Sequence, residues 1–229
     1  MTQDLAAREH ATWQETRRRA VTAPTGNLAL VETRWGADDP DAALAGQPAT
    51  VTATRLRRWN PLTSSAEQGV RLWDAASPAV RAFERIDTFA YDPAWVLEAR
   101  YAEVADDRKV PFAHAQDAGF TRDLPVPGDL HLSLDGRDYT LSAFDDDGTL
   151  LLVFGDPTNF TVTYGAGRFL FVEREAGSDR VVLDFNRAFV PPCGFSSHYN
   201  CPLPPPQNRL AVPVEAGEKL PVFRTELEK

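Results

Sequence analysis

This sequence is poor in the side chains that bind metals. Among its 229 residues it has two cysteines, four histidines and one methionine. A structural zinc site wants four ligands, and a catalytic one three with a water. Cys193, His198 and Cys201 form C-x4-H-x2-C, but a zinc site there would have to recruit the distant His114 or His131, so no metal is expected. The chain also lacks any run of about eighteen apolar residues, the length that spans a bilayer. Met1-Thr2-Gln3-Asp4-Leu5 has no apolar core of a secretory signal. No membrane partner is expected, and the expected location is the cytoplasm, where thiols stay reduced. Positive charge is short as well: 24 Lys and Arg stand against 33 Asp and Glu, for a net charge of −9. Neutralising nucleic-acid phosphates takes a basic face, so nucleic acid is not an expected partner. Cofactors are not indicated either. The one G-x-G, in Thr163-Tyr164-Gly165-Ala166-Gly167-Arg168, runs into Phe169-Leu170-Phe171-Val172. That is a strand pattern, where a dinucleotide fingerprint needs a helix N-terminus.

What is present suits a soluble globular chain, with 43% hydrophobic and 25% charged residues. The length reads as a single domain over 1–229: an N-terminal helix over 1–25 packed on a sheet, and a β domain over 26–229. Leu5, Ala6, Trp13, Thr16 and Ala20 recur at helical spacing, and Pro24 and Gly26 stop the pattern. Short alternating stretches follow at 27–35, 50–59, 68–73, 88–91 and 95–104, with a helical turn opening at Pro78. The clearest hairpin covers 129–144 around Asp135-Gly136, which tolerates the positive φ angles of a two-residue turn. Its register sets Leu132 opposite Tyr139 and Leu130 opposite Leu141, with His131 and Thr140 on the other face. A turn at Asp147-Gly148 leads into a central strand over 150–154, and a further hairpin is expected to join 168–172 to 180–185. Many short strands with little helix give a mainly β fold. It is an antiparallel β-sandwich or partly closed β-barrel with an N-terminal helix and a Pro-rich C-terminal loop.

That loop lies in a motif block over 150–219. It holds Asp184-Phe185-Asn186-Arg187, Pro191-Pro192-Cys193, Cys201-Pro202-Leu203-Pro204-Pro205-Pro206, Asn208-Arg209-Leu210 and Glu215-Ala216-Gly217-Glu218. Prolines fix φ and remove backbone donors, which makes a rigid, shaped segment on which sites can be built. Asp184 and Asn186, two apart at a strand end, are expected on one face, with Arg187 on the other. Arg168 is expected to pair with an acid on a neighbouring strand, Asp184 being a candidate. Cys193 and Cys201 read as structural thiols pinning the loop, or as a disulfide under oxidising conditions.

In their order, these motifs, with Phe154-Gly155-Asp156-Pro157-Thr158 ahead of them, resemble the prokaryotic family catalogued as Domain of Unknown Function 1684. The resemblance is strongest from Leu150 to Lys219 and implies a mainly β fold with no established activity. The family usually has Tyr where His198 stands, which weakens any role for a Cys–His pair. The leading reading is a protein that binds a small, anionic organic ligand. It would do so in a pocket near Arg168, Asp184, Asn186, Arg187, Asn208, Arg209 and Glu215. The alternatives are an enzyme of hydrolase or isomerase type using Asp184 or Glu215 as acid/base, and a purely structural block in which Arg187, Asn208 and Arg209 satisfy carbonyls left bare by the prolines.

Overall fold

Helical spacing ahead of Pro24 and Gly26 becomes α1 (Gln3–Thr22). The computed structural model describes residues 3–60, 63, 65–105, 108–116, 121–146, 148–175 and 177–224. After a 3-10 turn at Asn27–Ala29 come β1 (Leu30–Trp35), α2 (Pro40–Leu44), β2 (Val51–Asn60), β3 (Ser65–Asp74), α3 (Pro78–Ala82) and β4 (Phe83–Thr88). The two short helices start alike. Asp39 and Ser77 accept from the N–H groups of Asp41 and Val80, and a proline fills the first turn, where its missing N–H leaves no gap. Next are β5 (Val96–Glu103), β6 (Lys109–Ala113), β7 (Thr121–Pro125), β8 (Gly128–Leu134), β9 (Arg137–Asp146), β10 (Thr149–Phe154), β11 (Arg168–Val172), β12 (Arg180–Asp184) and β13 (Glu218–Phe223). No helix among the described residues is long and apolar enough to cross a membrane.

The chain divides into two compact units. The first takes the residues up to Trp13, then Ile86–Gly194 and Asn200–Leu220; the second takes Gln14–Arg85, Phe195–Tyr199 and the described residues from Pro221 on. The second unit is built on a three-stranded antiparallel sheet in the order β1-β3-β2. One small core there joins Ala43 and Val51 to Val70 and Leu72, and another sets Trp73 against Ala29 and Leu30.

The first unit holds a six-stranded antiparallel sheet in the order β11-β10-β9-β8-β5-β12, curled into a half-barrel, with β6 and β7 as a separate ladder. The mainly β, antiparallel expectation is met. The hairpin at Asp135-Gly136 forms with its expected register, Leu132 opposite Tyr139, Leu130 opposite Leu141 and His131 opposite Thr140. Its turn residues take φ of 52° and 70°. Alternate residues of each strand point inward, and Leu130, Leu132, Leu141, Leu152, Phe154, Leu170, Val181 and Leu183 share one core. Burying each such side chain contributes roughly 1.5–3 kcal/mol. Of the second expected turn, Asp147 lies outside the described residues, and 150–154 is the central strand foreseen, between β9 and β11.

The hairpin expected between 168–172 and 180–185 does not form. β11 pairs with β10 and β12 with β5, so the two strands are the opposite edges of the sheet. Inward Leu170 and Val172 on one edge, and Val181 and Leu183 on the other, fill the same interior, which curls the sheet until its edges approach. At one end β11 is capped instead by Phe189, which exchanges N–H and C=O with Phe169 at 3.0 and 2.8 Å.

Candidate functional site

Arg168 begins β11, and the inward alternation of that strand sends its side chain into the barrel, where it is fully buried. Its Nη2 donates to Asp156 Oδ2 and to the Val214 carbonyl, both at 2.8 Å, and Nη1 donates to the Ala216 carbonyl. Burial pulls this guanidinium below its ordinary pKa, while Asp156 acts to raise it. The partner is Asp156 and not Asp184. A tight turn of the chain makes this possible: Gly167 takes φ +91°, and Pro204 Cγ stands 2.5 Å from where a Cβ would be. Asp156 is itself saturated, its Oδ1 accepting from the Thr158 N–H at 2.9 Å, the Thr158 hydroxyl at 2.6 Å and the Val214 N–H at 3.2 Å. Nearby in sequence to these carbonyls, buried Glu218 accepts from the Val190 N–H at 2.8 Å.

Asn186 and Asn208 work as peptide mimics. The Asn186 amide bonds both backbone groups of Asp92, donating to its C=O and accepting from its N–H at 2.9 Å each. Asn208 acts at the end of the β9–β10 ladder, whose last pair is Leu152 with Ala143. There its amide accepts from the Ser142 N–H and donates to the carbonyls of Ser142 and Val153, each at 2.8 Å. Both asparagines are fully buried and committed to backbone. Arg209 and Glu215 are exposed. The Arg209 backbone bridges Gly155, holding the proline segment against the end of β10.

Asp184 and Arg187 are differently placed. The strand ends at Asp184, whose Oδ1 accepts from the Asn186 N–H at 3.1 Å and opens a 3-10 turn over Phe185–Arg187. That turn brings Arg187 round to the Asp184 side, Nε to Oδ2 at 3.3 Å, and not to the opposite face as strand alternation predicts. Beside them lies a histidine the sequence reading did not single out. His10 of α1 is buried, 5.5 Å from the Trp13 ring in a stack and 5.5 Å from Tyr91. Both its ring nitrogens are without a hydrogen-bond partner among the described residues. Burial lowers its pKa, the nearby Asp184 acts to raise it, and Arg187 acts to lower it. The available signal was spacing, since Ala6, His10 and Trp13 lie on one helical stripe. Asp156 and Glu218 also escaped notice, although both stand inside motifs quoted for other residues.

Of the predicted site residues, Asp184 and Arg187 line a cleft. A cleft of about 690 Å³ follows the seam between β11 and β12, with exposed Val96, Phe171 and Val182 on its walls and Arg174, Arg180 and Arg187 around it. The arginines face acids: Arg180 meets Glu98 at 2.6 Å, with both side chains about three-quarters exposed, and Arg174 meets Glu103 at 3.4 Å. A smaller hollow of about 390 Å³ opens at Tyr101, Leu150 and Val172 and holds none of the predicted site residues. Among the described residues, no group of three or more His, Cys, Asp or Glu side chains is placed to hold a metal.

Comparison with known proteins adds a family and little chemistry. A family model described as "Protein of unknown function (DUF1684)" matches residues 81–219. Among solved structures, an uncharacterised protein of Haloarcula marismortui, determined by NMR in solution, is 32% identical with a TM-score of 0.49; the match covers 64% of this chain and 80% of that one. No curated protein matches the chain.

Proposed function

The chain belongs to the family described as protein of unknown function (DUF1684), and we propose that it is a cytoplasmic protein that binds a small anionic organic ligand in the cleft between β11 and β12. One observation carries the reading: Arg187 is held by a 3-10 turn at the edge of this cleft, with only a loose contact to Asp184. Arg168, by contrast, is spent on Asp156 and backbone carbonyls and has no surface to offer a ligand. Arg174, Arg180 and Arg187 give the cleft its cationic groups, and their acid partners are exposed enough to release them. Such surface pairs contribute about 0–1 kcal/mol, so an incoming carboxylate or phosphate displaces them at small cost. The exposed Val96, Phe171 and Val182 supply an apolar wall for the organic body of the ligand. A catalytic reading would rest on Asp184 alone, since Glu215 lies outside the cleft lining.

The test is a thermal-shift and native mass-spectrometry screen of the full chain against small carboxylates and phosphates, followed by titration of each hit. For a true ligand, Arg187→Ala weakens binding about tenfold or more, equivalent to about 1.4 kcal/mol, with little change in melting temperature. A ligand whose affinity ignores Arg187→Ala overturns the proposal.

A further inference from the structure

We propose that Cys193 and Cys201 form a reversible dithiol–disulfide site in which Cys193 is the attacking thiol and Cys201 the resolving one. Both are reduced in this structure, Cys193 partly exposed and Cys201 buried. Their placement is fixed by backbone on both sides. Cys193 sits in a 3-10 turn over Pro192–Gly194, its carbonyl taking the Tyr164 hydroxyl at 3.0 Å. Cys201 is tied to the end of β6, its carbonyl accepting from the Ala115 N–H at 3.0 Å while the Leu203 N–H donates to the Ala113 carbonyl at 2.7 Å. The Cys193 N–H donates to Cys201 Sγ at 3.3 Å, which sets the sulfur of one cysteine against the backbone of the other. Bridging therefore joins two cysteines that already lie against one another.

The asymmetry of the pair assigns the roles. The Cys201 thiol hydrogen bond lowers the Cys193 pKa; burial opposes this, and the Tyr164 hydroxyl lowers it further. A cysteine that only fills space has apolar neighbours and an unreactive thiol; Cys193 has a second thiol and a phenol beside it and a route to solvent. In the reaction, Cys193 thiolate attacks one sulfur of a small-molecule disulfide, RSSR. A mixed disulfide forms and one RS⁻ leaves, taking up a proton. The Cys201 thiol then gives up its proton and attacks Cys193 Sγ, expelling the second RS⁻. The protein dithiol is oxidised by two electrons and RSSR is reduced to two RSH.

The test treats the full chain with glutathione disulfide and follows intact mass and thiol titre. The expected product is the bare chain lighter by two hydrogens, with both thiols lost and both recovered on adding dithiothreitol. Cys201→Ser is expected to stop at one glutathione adduct on Cys193, with an unchanged circular-dichroism spectrum showing that the variant folds. In Tyr164→Phe, the pH midpoint for alkylation of Cys193 is expected to move upward, which a purely packing role for the tyrosine would not cause. Two stable adducts on the wild type, an adduct on Cys201 in preference to Cys193, or inert thiols in the folded chain would each overturn the proposal.

Discussion

At the scale of single residues, His10 is the group most at odds with its surroundings. A buried imidazole with no hydrogen-bond partner carries a desolvation cost of about 1–3 kcal/mol. Its pKa is held below the ordinary value by burial. The unfolded chain therefore takes up a proton near the ordinary value while the folded chain still resists it. Stability is greatest above that ordinary value and falls as pH drops through it toward the lowered one. Phenylalanine keeps the stack with Trp13 and Tyr91 and removes the titration. His10→Phe should be about 1 kcal/mol more stable than the wild type near neutral pH, and its advantage should grow toward pH 5. Urea melts at pH 7 and pH 5 check this; a gap that shrinks on acidification contradicts it.

At the scale of elements, the half-barrel ends in two edge strands, β11 and β12, each paired on one side. Phe169 gives its N–H and C=O to Phe189, so by alternation Phe171 directs its own toward the open edge. On β12, Asp179 accepts from the Tyr101 N–H, which turns Val181 toward β5 and Val182 toward the seam. Amide exchange followed by NMR should find Phe171 and Val182 fast beside protected Leu170 and Val181; equal protection across the four would show a closed barrel. The sequence foretold much of this sheet. Asp135-Gly136 and the alternation around it set a register because the turn and the buried face depend on neighbours a few residues away. The seam was not legible. Strands 168–172 and 180–185 have the spacing of a hairpin, and only the common core reached from both edges decides against it. In the same way, alternation misplaced Arg187 because the Asp184 side chain caps a 3-10 turn that no periodicity announces. That Asn208 would tie the loop by satisfying carbonyls was legible from the prolines; its partners, 55 and 66 residues away, were not.

At the scale of the whole chain, one ion pair joins widely separated segments of the first unit. Asp156 and Arg168 are both fully buried; Asp156 also accepts from Thr158 and Val214, and Arg168 donates to the Val214 and Ala216 carbonyls, its Nε alone finding no partner among the described residues. Removing one partner of such a pair leaves a charge without compensation, at about 3–5 kcal/mol. Asp156→Asn is expected to lose about that much in denaturant titrations, whereas a double change of Asp156→Asn with Arg168→Met should recover part of it. A single variant as stable as the wild type would contradict the arrangement.

The order in which those segments are made gives this pair a further meaning. During synthesis Arg168 emerges 46 residues before Val214 and 48 before Ala216, the carbonyls that receive it. Until they arrive, the growing chain can pair the barrel strands but must leave a cation inside them half-solvated. Closure of the half-barrel around Arg168 is thereby deferred until Val214 and Ala216 have been made, after every strand of the sheet.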